Sequence, residues 1–243
     1  MPSVDVVHLA PGLFAFPYFL GLAPIVHFGQ FMAPFGDGKN APPSNEDSAS
    51  VASNSLMIPI EHIGRSYRPT GPELLSPAEI ADIFALILKR KVTYRAVDFS
   101  AFHRAAIAMQ LPTEQVAHIR YYAEEMRSGV YGISAPTDHV ERVTGKPPEA
   151  FEVTARRYIA NPDLVRPGLR IGSKLSALSL LLKMSVARPF DLGKWEQELG
   201  YPLIDDATLA HECERWSVAA KNQSINLEPA AVDTTRAKHR LAS

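Results

Sequence analysis

The stretch from Ser76 to Val97 constrains the fold more than any other. Ser76 reads as a helix N-cap, Pro77 takes the first helical position, where its missing N–H costs nothing, and Glu79 completes a capping box. Ile80, Ile83, Phe84, Ile87 and Leu88 then follow the i, i+3, i+4, i+7, i+8 spacing of a helix with one buried face. Lys89, Arg90 and Lys91 suit the negative end of that helix, and the residues after them predict a strand over 92–97. With a short strand candidate at 65–68 ahead of it, the order is strand, helix, strand, which places the chain in the α/β class.

The rest of the chain is consistent with that class. Residues 4–9 are apolar apart from Asp5 and His8 and predict a buried strand, ended by the Pro11-Gly12 turn. Residues 28–40 read as two short extended pieces around Gly36-Asp37-Gly38, a hairpin by the tolerance of Asp-Gly for positive φ. Ser44 with Asp47 three residues on predicts a helix that runs to about Met57 and is closed by Pro59. Further helices are predicted over 100–110 and 112–127, a short one from Thr137, and one with Phe151, Ala155, Tyr158 and Ile159 on one face before Asn161-Pro162. Beyond Pro167 the pattern becomes a helical extension, with helices over 175–187, 191–199 and 208–220. The polar, unpatterned residues 221–243 read as a disordered tail.

Composition removes several function classes. The 25 Lys and Arg against 26 Asp and Glu give a net charge of −1, so nothing sequence-wide attracts nucleic acid or anionic lipid. A single cysteine, Cys213, excludes an internal disulfide and a multi-thiolate metal site, and suits the cytoplasm. Pro11, Pro17 and Pro24 interrupt the apolar run over 9–35, which therefore reads as a buried strand and apolar loop and not as a membrane span. The second apolar run, 175–186, is too short to cross a bilayer, carries Lys183, and reads as a packed helix.

The chemistry-bearing motifs are fewer than the fold class would suggest. Dinucleotide binding in a doubly wound fold needs a strand, a glycine turn that lets backbone approach the pyrophosphate, and a helix whose N-terminus faces it. Gly129, Gly132 and Ala135 have acceptable spacing, but a helix precedes them and Pro136 follows, so the stretch reads as a flexible loop. Gly168, Gly172, Ser173 and Lys174 have the wrong order for a phosphate loop, and Ser173 as an N-cap explains the same letters. None of the eight tyrosines has a lysine four residues later, so a Tyr/Lys proton-donating pair is absent and no catalytic residue is assigned. His211, Glu212, Cys213 and Glu214 gather ligand types, but a helix turns neighbours to different faces, and no metal site is expected.

Several stretches, taken in order, resemble the NmrA-like NAD(P)-binding family of atypical short-chain dehydrogenases/reductases. They are Leu9-Ala10-Pro11-Gly12-Leu13-Phe14, Pro34-Phe35-Gly36-Asp37-Gly38-Lys39 and Ser44-Asn45-Glu46-Asp47, then Thr70-Gly71-Pro72-Glu73-Leu74-Leu75-Ser76 with Glu79-Ile80-Ala81, and finally Val143-Thr144-Gly145-Lys146-Pro147-Pro148 with Phe151-Glu152. The resemblance implies an incomplete Rossmann-like domain over 1–160, the C-terminal half of the family's fold, with a helical substrate lobe extended over 161–220 and the tail over 221–243. In that family the Pro-Gly turn borders the nicotinamide, so Pro11, Gly12, Leu13 and Phe14 are the implied cofactor-binding positions. The chain departs from the family by Ala10, where Arg is common, and by the apolar run Ala15-Phe16-Pro17-Tyr18 in place of a polar residue.

Phe16, Tyr18 and Phe19, with Phe14, suit either a wall for a small apolar or aromatic substrate or simple core packing. The implied function is NAD(P)H-dependent reduction of a small carbonyl, quinone or enone-like substrate; the alternative is a non-catalytic regulatory or interaction protein. NADP or NAD is the implied cofactor, with no binding expected from this chain alone because the glycine-turn half lies outside it. Self-association, or a partner chain that supplies that half, is expected.

Overall fold

A computed structural model describes residues 6–201 together with Glu214 and Val218. The chain enters through a short strand, β1 (His8–Leu9), passes a turn and the 3₁₀ segment Phe16–Phe19, and continues into α1 (Leu22–Phe28) and β2 (Gln30–Ala33). Then come α2 (Asn45–Met57), α3 (Pro59–His62), β3 (Ser66–Tyr67), α4 (Pro77–Leu88) and β4 (Thr93–Ala96). The remainder is helical: α5 (Phe99–Ala108), α6 (Thr113–Ser128), α7 (His139–Thr144), α8 (Phe151–Ala160), α9 (Lys174–Val186) and α10 (Leu192–Glu198). The helix expected over 208–220 lies outside the described residues except for Glu214 and Val218, both helical, and the tail from 221 lies outside them entirely.

Helix starts are where their caps place them. The Ser44 side chain accepts from Asp47 N–H at α2, and Ser76 and Glu79 form the reciprocal capping box at α4. Asp98, Ser173 and Asp191 cap α5, α9 and α10 in the same manner.

Among the described residues the strands pair in parallel. β1 pairs with β3, His8 opposite Ser66, and β2 pairs with β4, Gln30 opposite Thr93 through Ala33 opposite Ala96. Parallel neighbours need long crossovers, and α2, α3 and α4 lie within the two connections.

Three expectations are corrected here. The hairpin over 28–40 does not form: β2 carries buried Phe31 and Ala33, pairs with distant β4, and leaves Asn40 to bridge Leu75 antiparallel. The apolar run over 9–35 is not simply a strand and a loop: it holds the 3₁₀ segment Phe16–Phe19, α1 and β2, because Pro17 and Pro24 sit in first turns, where no N–H is required. α9 packs on only one side: it turns Ala177 inward, while Leu175, Leu178, Leu182 and Val186 are exposed. Among the described residues no helix is long and apolar enough to cross a membrane.

The core is aromatic at its centre. Phe19 has no exposed surface; it stacks on Phe151 at 5.4 Å and meets Tyr158 at 5.0 Å and Phe84 at 5.6 Å edge-on. The extension shares this core, since Leu192 of α10 belongs to it and the buried Glu196 carboxylate accepts from Arg120 of α6 at 2.6 Å.

Candidate functional site

The site begins where β1 ends. Ala10 N–H still donates to Tyr67 of β3, and the chain then turns at Gly12, whose φ of +73° suits glycine above all other residues. Asn40 locks the outgoing chain: its Nδ2 donates to the Leu13 carbonyl at 2.7 Å and to the Tyr18 hydroxyl at 3.3 Å, with all three residues buried. Beyond the turn Phe14 and Phe16 are half-buried neighbours, with ring centroids 6.4 Å apart.

A second segment closes over the turn. Tyr131 sits in a 3₁₀ turn, Val130–Gly132, after α6, and its ring edge lies 3.2 Å from where a Cβ on Gly12 would stand. Its hydroxyl donates to the Glu125 carboxylate, six residues back in α6. Arg68, just past β3, holds the segment down: Nη2 donates to the Tyr131 carbonyl at 2.8 Å and Nη1 to that of Ile133. Thr137 Oγ1 donates to the Arg68 carbonyl at 2.5 Å, and Arg68 N–H donates to His139 Nδ1 at 2.7 Å. The segment 129–135, expected as a flexible loop, is therefore clamped from both ends; its glycines still follow a helix and not a strand.

Electrostatically the site holds its protons. Burial, reinforced by the hydrogen bond to Glu125, pushes the Tyr131 phenol far up, and burial pushes Tyr18 up against the smaller opposing pull of Asn40. Burial also lowers Arg68, which spends its donors on backbone carbonyls. Both phenols thus keep their protons, Tyr131 donating to Glu125 and Tyr18 accepting from Asn40.

Burial holds the His139 imidazole below its ordinary pKa, helped by the Arg142 and Arg68 charges, and its Nδ1 must be unprotonated to accept from Arg68. A depressed folded value means stability is complete above the unfolded pKa of about 6.5 and is lost as pH falls through the folded one. His103, also held down by burial, acts in the same direction. Thermal melts between pH 7.5 and 5 are expected to show a falling Tm. His139→Asn, which keeps an acceptor near Nδ1 without the titration, is expected to fall less; an identical slope in both proteins would refute the assignment.

The structure distributes the sequence-predicted residues unevenly. Pro11, Gly12, Leu13 and Phe14 form the turn, with Leu13 buried and the other three half-exposed. Phe16 stays beside the turn, Tyr18 lines an apolar cavity of about 90 Å³, and Phe19 is in the core centre. Sequence reading missed Asn40, Arg68, Glu125 and Tyr131. Asn40 carried a faint signal, a polar residue leading into Ala41-Pro42-Pro43. Arg68 and Tyr131 carried none, because they meet across 63 positions. Among the described residues no three His, Cys, Asp or Glu side chains are grouped to hold a metal; His211, Glu212 and Cys213 lie outside them.

No family model matches the sequence. The chain is 30% identical over 156 residues to an NAD(P)H azoreductase of Xenophilus azovorans, covering 62% of this chain and 51% of that protein. It spans about half the length of the curated relatives it matches. In structure it is similar to an NADPH-dependent quinone oxidoreductase of Escherichia coli, with TM-score 0.52 and 19% identity over 65% of this chain and 56% of that one. It is also similar to a nucleoside-diphosphate-sugar epimerase of Staphylococcus aureus, with TM-score 0.55 and 15% identity over 63% and 53% of the two chains. The described residues thus have the α/β Rossmann-like fold of those proteins.

Proposed function

We propose that the chain is the substrate-side portion of an NAD(P)H-dependent, NmrA-like cytoplasmic oxidoreductase that reduces a small quinone, carbonyl or enone-like acceptor. The observation that carries this reading is the Pro11-Gly12 turn at the C-terminal end of a parallel strand, where α/β sheets bind their ligands. The names of the similar proteins support it.

The described residues fit one end of a dinucleotide. The half-exposed turn of Pro11, Gly12 and Phe14 offers backbone and an aromatic flank to a nicotinamide, with Phe16 and Tyr18 extending an apolar wall that Phe19 backs from the core. When bound, the nicotinamide supplies the hydride. Asn40 and Tyr131 position the turn, and no residue there has a phenol lowered toward neutrality, which favours electron-poor acceptors whose reduced form takes its proton from water. Among the described residues the pyrophosphate end has no matching cradle. Neither glycine turn that follows a strand, at Gly12 or at Gly36, leads directly into an α-helix whose free amides would face a phosphate.

Calorimetric titration of NADPH into the chain alone is therefore expected to show no saturable binding in the micromolar range. Joining a strand, a Gly-x-Gly-x-x-Gly turn and a helix ahead of β1 is expected to create NADPH binding and NADPH oxidation by 1,4-benzoquinone. A cooperatively folded joined protein that binds no NADPH would overturn the proposal. Binding without turnover would favour the regulatory reading. Gly12→Val is a poor probe of this site, because its Cβ would press on Tyr131 and its φ is strained, so stability and binding would fall together.

A further inference from the structure

The cavity that Tyr18 lines lies between the 3₁₀ segment and α1 on one side, β2 below, and α5 and α9 on the other. At about 90 Å³ it is several times the roughly 10–15 Å³ that one water requires. No charged side chain is among the residues that line it, and the exposed Gln30 stands at its rim. Its lining includes the aromatic residues Phe31, Phe35 and Phe102 and the methionines Met32, Met109 and Met184.

From this geometry we infer that the cavity is a binding site for a small, neutral, ring-shaped apolar molecule. It rests in part on the reading above, whose acceptor wall shares Tyr18 with this cavity, and it adds the site's shape and its exclusion of charge. A charged ligand would lose its hydration with no counter-charge to replace it, which excludes carboxylates and ammonium groups. Aromatic edges and flexible methionines accommodate a flat ring, the methionines adjusting to its outline. Apolar walls of this kind gain contacts when such a molecule enters. Leu180 and Met184 reach the cavity from α9, whose outer leucines are exposed, so α9 is held to the fold only by its inner face and an occupant would add to that hold.

Toluene and benzoate have nearly the same shape and differ in charge, which makes them the probes of choice. Toluene is expected to bind the full chain at one saturable site and benzoate at least tenfold more weakly. Toluene is also expected to slow amide hydrogen exchange across residues 174–186. Ala105→Phe, which fills the cavity from α5, is expected to abolish toluene binding while the circular dichroism spectrum is kept. The proposal is overturned if toluene does not bind, if benzoate binds equally, if exchange in α9 is unchanged, or if a folded Ala105→Phe still binds. Should that variant fail to fold, the ligand pair and the exchange map on the parent chain decide the question without it.

Discussion

Replacing Gly38 with alanine is expected to lower the free energy of unfolding by about 4 kcal/mol or more, a size reserved for a few mechanisms. The mechanism here is backbone approach: a Cβ on Gly38 would stand 1.8 Å from the Met126 carbonyl oxygen and 2.5 Å from its carbon, and backbone in the last turn of α6 cannot swing aside as a side chain can. Asn40, two residues on, holds the Leu13 carbonyl, and Tyr131 follows closely after Met126, so displacement would also open the turn. Gly145 is the control. Its φ is +70°, but a Cβ there meets nothing within 4 Å, so Gly145→Ala is expected to cost only about 1 kcal/mol. Urea denaturation of the two variants measures the difference, and a Gly38→Ala protein within 1 kcal/mol of the parent would show that the approach is not tight in solution.

The isolated chain is expected to self-associate at micromolar concentration through β1. Among the described residues this strand pairs on one side only, with β3, and parallel sheets are ordinarily extended and covered on both faces. Leu9 on it and Val6 just ahead of it are exposed, and Leu56, Met57 and Ile60 on the α2 and α3 segment are each more than three-quarters exposed. An open strand edge beside apolar surface recruits another strand, from a second copy or from a partner chain that carries the glycine-turn half. Placing lysine at both Val6 and Leu9 puts two charges where an apolar contact would form, and is expected to weaken association at least about tenfold, or some 1.4 kcal/mol. Light scattering across a concentration series is the measurement, and a parent chain that stays monomeric throughout would remove β1 as an interface.

Local signals were legible in this sequence wherever they were complete within a few residues. The capping boxes, the proline and glycine boundaries and the helical spacing from Ile80 to Leu88 determined where helices begin, which face of α4 is buried, and that strands alternate with helices. The Pro11-Gly12 turn was legible too, because the pair breaks an apolar run. The partners were not legible. Gly36-Asp37-Gly38 has the letters of a hairpin, yet β2 pairs with β4 because Phe31 reaches Phe84 and Tyr94 across the core, a gain that the hairpin letters do not encode.

The same reason separates the two parts of the site. Caps, turns and amphipathic faces arise from interactions between residues three or four apart, so the sequence by itself determined them, together with the α/β class and the Pro11-Gly12 turn after β1. Tertiary structure alone decided that Arg68 would clamp Tyr131 over Gly12, that Tyr18 would face a cavity while Phe19 fills the core, and that half of α9 would stay bare. Each of those outcomes depends on which distant surfaces compete successfully for the same buried space, and close packing settles that competition over the whole fold at once.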